Sequence, residues 1–170
     1  MDDFFRYWLR WPSIEHAVGA YSWGWPLLDT FHFVGLCLLI GIVGMYDLRV
    51  LGFAKGLPLD PLKRLLPWGV FGFVLTLITG LGFVLGIGAN LYGEYAWDVI
   101  MRDFWLQIKL IFMALAGVNI LVFYFTDVSR SVDALGPGDD APPMAKAVAG
   151  ASLFLWVGVM LAGRLIARGL

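Results

Sequence analysis

Cysteine, histidine and charge are all scarce in this chain of 170 residues. The single cysteine, Cys37, excludes an intrachain disulfide framework and any Cys-based zinc or iron–sulfur site. The histidines number two, His16 and His32, and only 15% of residues are charged. Soluble domains usually carry about 25% charge, so a water-soluble globule is disfavoured. Twelve Lys and Arg against 13 Asp and Glu leave a formal charge of −1. That balance offers no basic surface for counterion release, so no nucleic-acid partner is expected. A phosphate loop, a nucleophile elbow and an HExxH pair are missing as well. The first fifteen residues mix Asp2, Asp3, Arg6, Arg10 and Glu15 with aromatics, which is not the pattern of a cleavable signal.

What the chain has instead is apolar surface: 60% hydrophobic residues, with 13 Phe, 8 Trp and 21 Gly. A spanning helix needs roughly 20 mostly apolar residues. Charge-free intervals run from Thr30 to Tyr46, Leu65 to Gly93, Leu110 to Thr126 and Ala147 to Gly163. They predict four spans, over residues 26–48, 65–91, 104–126 and 146–167. Backbone in lipid must satisfy its own hydrogen bonds, so these runs read as helices rather than strands. The expected fold is all-α: an integral membrane four-helix bundle over residues 23–170, preceded by an interfacial amphipathic segment over 1–22. In that segment Phe4, Phe5, Tyr7, Trp8, Leu9 and Trp11 alternate with charges, as in a helix lying on the bilayer surface. Residues 47–64, 93–103 and 127–146 read as loops, the last carrying Gly136-Pro137-Gly138 and Pro142-Pro143. Loop one holds Arg49, Lys55, Lys63 and Arg64, and loop three holds Arg130 and Lys146. The positive-inside rule therefore puts these two loops in the cytoplasm and both termini on the outer, periplasmic side.

Alternating spans bring the start of one, the end of two, the start of three and the end of four to one side. There the sequence places Asp29, His32, Asn90, Tyr92, Gln107, Lys109 and Arg164. His32 falls about 4–5 Å deeper than Asp29. Met113 lies one turn below Lys109, and Met160 one turn below Arg164. His32, Met113 and Met160 would then share a layer under the charges of Asp29, Lys109 and Arg164. Ionisable residues inside a membrane are costly and point to function. Each also has a plainer reading. Asp29 suits a helix cap after Pro26, Arg164 can snorkel to the interface, and Lys109 can pair with Asp29. His32 can bond a backbone carbonyl, and the methionines can fill core. His16 is either a second imidazole at this mouth or a surface residue.

Span two carries Gly69, Gly72, Thr76, Thr79, Gly80, Gly86 and Asn90 near helical spacing, and Gly82 with Gly86 makes a GxxxG. Such a stripe predicts close helix contact, or else a slot for a flat cofactor or lipid tail. Gly41, Gly44 and Gly117 read the same way, and Cys37 reads as a small mid-span filler. Asp47-Leu48-Arg49 at the inner end of span one reads as a stability motif, with Arg49 complementing the helix dipole and Asp47 pairing with loop lysines.

Several short motifs add up in order: His32-x-x-Gly35-Leu36, Asp47-Leu48-Arg49-x-Leu51-Gly52, Pro67-Trp68 with Thr79-Gly80, Lys109, Asn119, and Ser152 to Trp156 running into Gly163-Arg164. From residue 23 onward the chain resembles a family of small bacterial four-span inner-membrane proteins. It is distantly similar to the membrane domain of copper-resistance protein D and to four-helix haem proteins of the cytochrome b561 type. The copper relatives imply copper uptake or periplasmic redox balance, and the cytochrome relatives imply haem b. With His32 the one histidine inside a span, two bis-histidine haems are excluded for a monomer.

Three functions are expected from these features. In the first, haem b carries electrons between a quinol and a periplasmic partner. His32 is one axial ligand, the second is His16, Met113 or Met160, and Lys109 and Arg164 hold the propionates. In the second, His32, Met113 and Met160 bind Cu(I) as imidazole and thioether ligands. In the third, the protein is a scaffold whose glycine faces pack against copies of itself, as a homo-oligomer, or against a larger complex. The bilayer itself is a partner in all three.

Overall fold

The computed structural model describes residues 2–90 and 95–166, and among these it contains eight helices and no strand. Two short helices, α1 (Asp2–Trp8) and α2 (Pro12–Ala20), precede the long α3 (Gly24–Leu51) and α4 (Leu59–Asn90). A short α5 (Ala96–Arg102) leads into α6 (Phe104–Phe125). A second short helix, α7 (Val128–Asp133), precedes α8 (Pro143–Ile166). The four long helices are apolar and long enough to cross a bilayer. Their large side chains, such as Phe31, Val70, Ile78, Ile111, Phe125, Phe154 and Leu161, are exposed on the outside of the bundle. In water that surface would drive aggregation; in lipid it is the solvated face. This is a multi-pass membrane protein.

Local chemistry sets the helix ends. Gly52 stops α3 at φ +99°, with its N–H bonded to the Leu48 and Arg49 carbonyls, the left-handed stop that glycine adopts without a Cβ clash. Asp103 caps α6 by accepting from the Leu106 N–H at 2.8 Å. Pro143 opens α8, a position where its missing N–H costs nothing.

These ends correct several expectations. Span one continues past residue 48 to Leu51, so Asp47 and Arg49 both belong to the helix, and the connection to α4 is only residues 52–58 rather than 47–64. Span two begins at Leu59, inside the expected loop, and runs through Pro67. The interfacial segment is two helices, broken ahead of Pro12, rather than one, and loops two and three contain α5 and α7. Asp29 lies within α3, not at its cap, which is Trp23. Cys37 is exposed on the lipid side and fills nothing.

The glycine stripe of α4 makes close contacts. A Cβ on Gly72 would stand 2.7 Å from the Gly35 carbonyl oxygen and 2.8 Å from the Leu39 nitrogen. α3 and α4 therefore touch backbone to backbone. Gly82 lies against Leu28, and Gly86 against Val18 of α2, so this GxxxG face is filled from within the chain. α3 also packs on α8, and α8 on α6. Among the described residues α4 and α6 share no comparable interface, so the order around the bundle is α4–α3–α8–α6 with a gap between its first and last members. α6 is accordingly the least covered span, with 6% of its apolar window buried.

The two ends of the bundle differ. At one, α1 and α2 cover the start of α3 and the end of α4. Arg6 bonds Asp98 of α5 at 2.8 Å, and Phe5 stacks on Trp97 with ring centroids 4.6 Å apart. Phe4, Tyr7, Trp8 and Trp11 stay exposed, as interfacial aromatics do. At the other end Arg49 is 0% exposed and donates to three carbonyls: Leu57 at 2.7 Å, Gly136 at 3.1 Å and Asp139 at 3.4 Å. The Gly138 N–H bonds the Lys55 carbonyl, and the Asp140 carboxylate sits between Lys146 at 2.7 Å and Lys55 at 3.1 Å. Arg49 and these lysines tie the first connection to the third. Around that tie lies an apolar cluster that includes Tyr46, Val50, Val132 and Val148.

Candidate functional site

At the end covered by α1 and α2, His32 is 8% exposed and faces α4. Its Nδ1 lies 2.8 Å from Thr79 Oγ1. The Thr79 hydroxyl can donate its one proton to the Leu75 carbonyl at 2.7 Å or the Thr76 carbonyl at 3.2 Å, and it then accepts from a His32 protonated on Nδ1; donating instead to Nδ1, it leaves the ring proton on Nε2. Phe83 meets the ring edge-on at 5.4 Å. Lys109 and Asp29 are both near enough to act electrostatically on His32. The Lys109 stem runs along Gly163, whose Cβ would stand 3.4 Å from Nζ.

The rest of the expected constellation is dispersed. Neither Asp29 nor Lys109 nor Arg164 forms an ion pair with any described residue, so the Asp29–Lys109 pair is not made. Arg164 is exposed at the end of α8. His16 is exposed on α2, edge-on to Tyr21. Met113 packs on the central cluster of Leu39, Ala116, Leu155, Trp156 and Val159. Met160 is 38% exposed on the outer face of α8. Gln107 donates to the Ile100 and Met101 carbonyls, tying α6 to α5. Tyr92 and the side chain of Asn90 lie outside the described residues. Among the described residues no three His, Cys, Asp or Glu side chains gather as a metal-binding group.

A second site, which the sequence reading missed, lies in the other half of the bundle. A cavity of about 210 Å³ is enclosed by α3, α4, α6 and α8. Its walls are apolar and aromatic, with Phe73, Met113, Phe123 and Trp156 among them. Val70 of α4 and Ile120 and Tyr124 of α6 line it while remaining exposed on the outer surface. Its mouth is thus the gap between α4 and α6, facing the lipid. Gly117 helps make the room, because a Cβ there would meet nothing within 4 Å.

The polar end of the cavity is Asp47, about 6 Å before the end of α3. Asp47 is 6% exposed, and its Oδ2 has no hydrogen-bond partner. Ser152 of α8 sits beside the carboxyl. The Asn119 amide donates to the Val148 carbonyl at 3.2 Å. The expected pairing of Asp47 with loop lysines does not occur: Lys55 and Lys146 bond Asp140, and Lys63 bonds Asp133. The signal for this site was present in Leu39, Val43, Tyr46, Asp47 and Val50, which fall on one face of α3 once the helix is carried to Leu51. Comparison of the chain with protein-family models, curated proteins and solved structures finds no match, so function must be argued from these side chains.

Proposed function

We propose that this protein binds a small lipid-phase molecule, admitted sideways from the bilayer between α4 and α6 and held with its polar end at Asp47. One observation carries this reading: the one acid lining a mostly apolar cavity is buried, and its Oδ2 has no hydrogen-bond partner. A buried polar atom left unpaired costs about 1–3 kcal/mol, and in a membrane interior an ionisable side chain marks a pathway or site by default. Ligand sites are typically apolar hollows with a few fixed polar groups. The Lys and Arg excess at the Arg49 end supports an orientation with that end cytoplasmic and both termini periplasmic in a bacterial inner membrane.

The test is photolabelling in bilayers with a lipophilic diazirine, mapped by mass spectrometry. An adduct is expected on Met113 in addition to those on the lipid-exposed Val70 and Ile120, and Gly117→Leu should fill the cavity and remove the Met113 adduct. Labelling confined to outer-face residues and indifferent to Gly117→Leu would refute it.

Haem b at the opposite end is a second reading with one observation in its favour. In the tautomer that donates Nδ1–H to Thr79, His32 keeps Nε2 free to ligate, which is how ligating imidazoles are commonly oriented. Lys109 would supply positive charge for a propionate, and bound haem would supply one-electron chemistry, between a quinol and a periplasmic partner. The fit is partial: with His16 on the surface, Met113 in the central cluster and Met160 facing outward, the described residues furnish one axial ligand. A Soret band in protein purified after haem-replete expression, lost in His32→Ala, is the expected result; no band in the wild type refutes it.

A further inference from the structure

We propose that the occupant of the α4–α6 cavity is a lipophilic organic cation, of the size of a single-ring aryl ammonium or a short alkyl ammonium. This rests on the lipid-phase reading above and names its ligand class. The cavity lining contains one acid, Asp47, and neither Lys nor Arg nor His. None of the cations at that end of the bundle lines the cavity. Arg49 donates to the Leu57, Gly136 and Asp139 carbonyls, and Lys55 and Lys146 share Asp140. Ser152 hydrogen-bonds the carboxyl but no cation answers its charge, and its Oδ2 is unpartnered and nine-tenths buried with the rest of the side chain.

The walls facing it are rich in rings: Tyr46, Phe73, Phe123, Tyr124 and Trp156. Aromatic faces attract cations through their quadrupoles, most strongly where water is excluded. An anion would meet the buried acid with nothing to offset the repulsion. A plain hydrocarbon would fill the apolar part but leave the Asp47 carboxyl without a counter-charge. A cation on an apolar body satisfies the acid, the rings and the lipid-side mouth together. A volume of about 210 Å³ limits the body to about one ring.

The experiment compares benzyltrimethylammonium with neopentylbenzene, its neutral isostere, and with 4-tert-butylphenol, a neutral hydroxyl donor. Binding to the full chain in nanodiscs is read by calorimetry. The wild type is expected to favour the cation over the isostere by roughly tenfold or more, the scale of one offset buried charge. Asp47→Asn should remove that preference and Asp47→Glu should keep it. A wild type that does not discriminate by charge overturns the proposal, and this arm needs no variant to fold. Binding of the phenol in preference to the cation also overturns it while leaving the lipid-phase cavity standing. Failure of all three probes, together with absent photolabelling, refutes the underlying reading as well.

Discussion

Replacing Gly72 by Ala adds one methyl group at the point where α3 and α4 come closest. The new carbon would stand 2.7 Å from the Gly35 oxygen and 2.8 Å from the Leu39 nitrogen, short of ordinary contact by about 0.7 Å. The obstructing atoms are backbone, so no side chain can rotate away, and the two helices must separate or tilt. Overpacking of this kind costs about 1–3 kcal/mol. Against that, Ala is better than Gly inside a helix by about 0.5–1 kcal/mol, so the net loss should be roughly 0.5–2 kcal/mol. Gly41 and Gly117 provide the control, because a Cβ at either meets nothing within 4 Å. There Ala should be neutral or stabilising by the same helix preference. Unfolding in mixed micelles titrated with SDS, followed by circular dichroism, measures all three variants on one scale. If Gly72→Ala is as stable as Gly41→Ala, α3 and α4 are not in backbone contact, and the placement of His32 against Thr79 loses its support.

The tie at the opposite end makes two further predictions. Arg49→Lys keeps the charge but loses the planar fork that reaches three carbonyls; it should destabilise by about 2–3 kcal/mol and speed hydrogen exchange in residues 52–58 and 134–142. Unchanged exchange there would mean the arginine is not the tie. Hydrogen bonds from Lys146 and then Lys55 hold the Asp140 carboxyl below the usual carboxylate range. A folded-state pKa depressed in this way contributes stability above the unfolded value of about 3.9, and loses it as pH falls through the lower folded value. Wild type should therefore unfold at a higher temperature than Asp140→Asn at pH 6, with the difference closing below about pH 4; a difference constant with pH would contradict this.

The spans were legible because lipid demands long apolar runs, and the Gly72 contact was legible because small residues recur on one face of α4. Asp47 was not. Taking charge as a helix boundary ended span one at residue 48 and counted Asp47 into a polar loop beginning at 47, but a charged residue one turn inside a helix end can face the bundle interior as readily as the water. Once α3 is carried to Leu51, Asp47 falls on the face that Leu39 and Val43 occupy. The His32 layer shows the opposite error. Equal depth placed His32, Met113 and Met160 at one level, whereas convergence also requires a shared direction, and Met160 points outward from α8. Depth follows from counting residues; direction depends on which helices become neighbours, and the α4–α3–α8–α6 order is a long-range outcome.

The bond between Arg6 and Asp98 joins residues 92 positions apart. At translation rates of about 5–20 residues per second, the amino-terminal helix leaves the ribosome roughly 5–20 s before its partner exists. Through that interval Phe5, which will stack on Trp97, has only the membrane surface to rest on. Closure of this end is therefore a late event in biogenesis, and cells that stall synthesis between the second and third spans should accumulate chains whose amino terminus is open to protease.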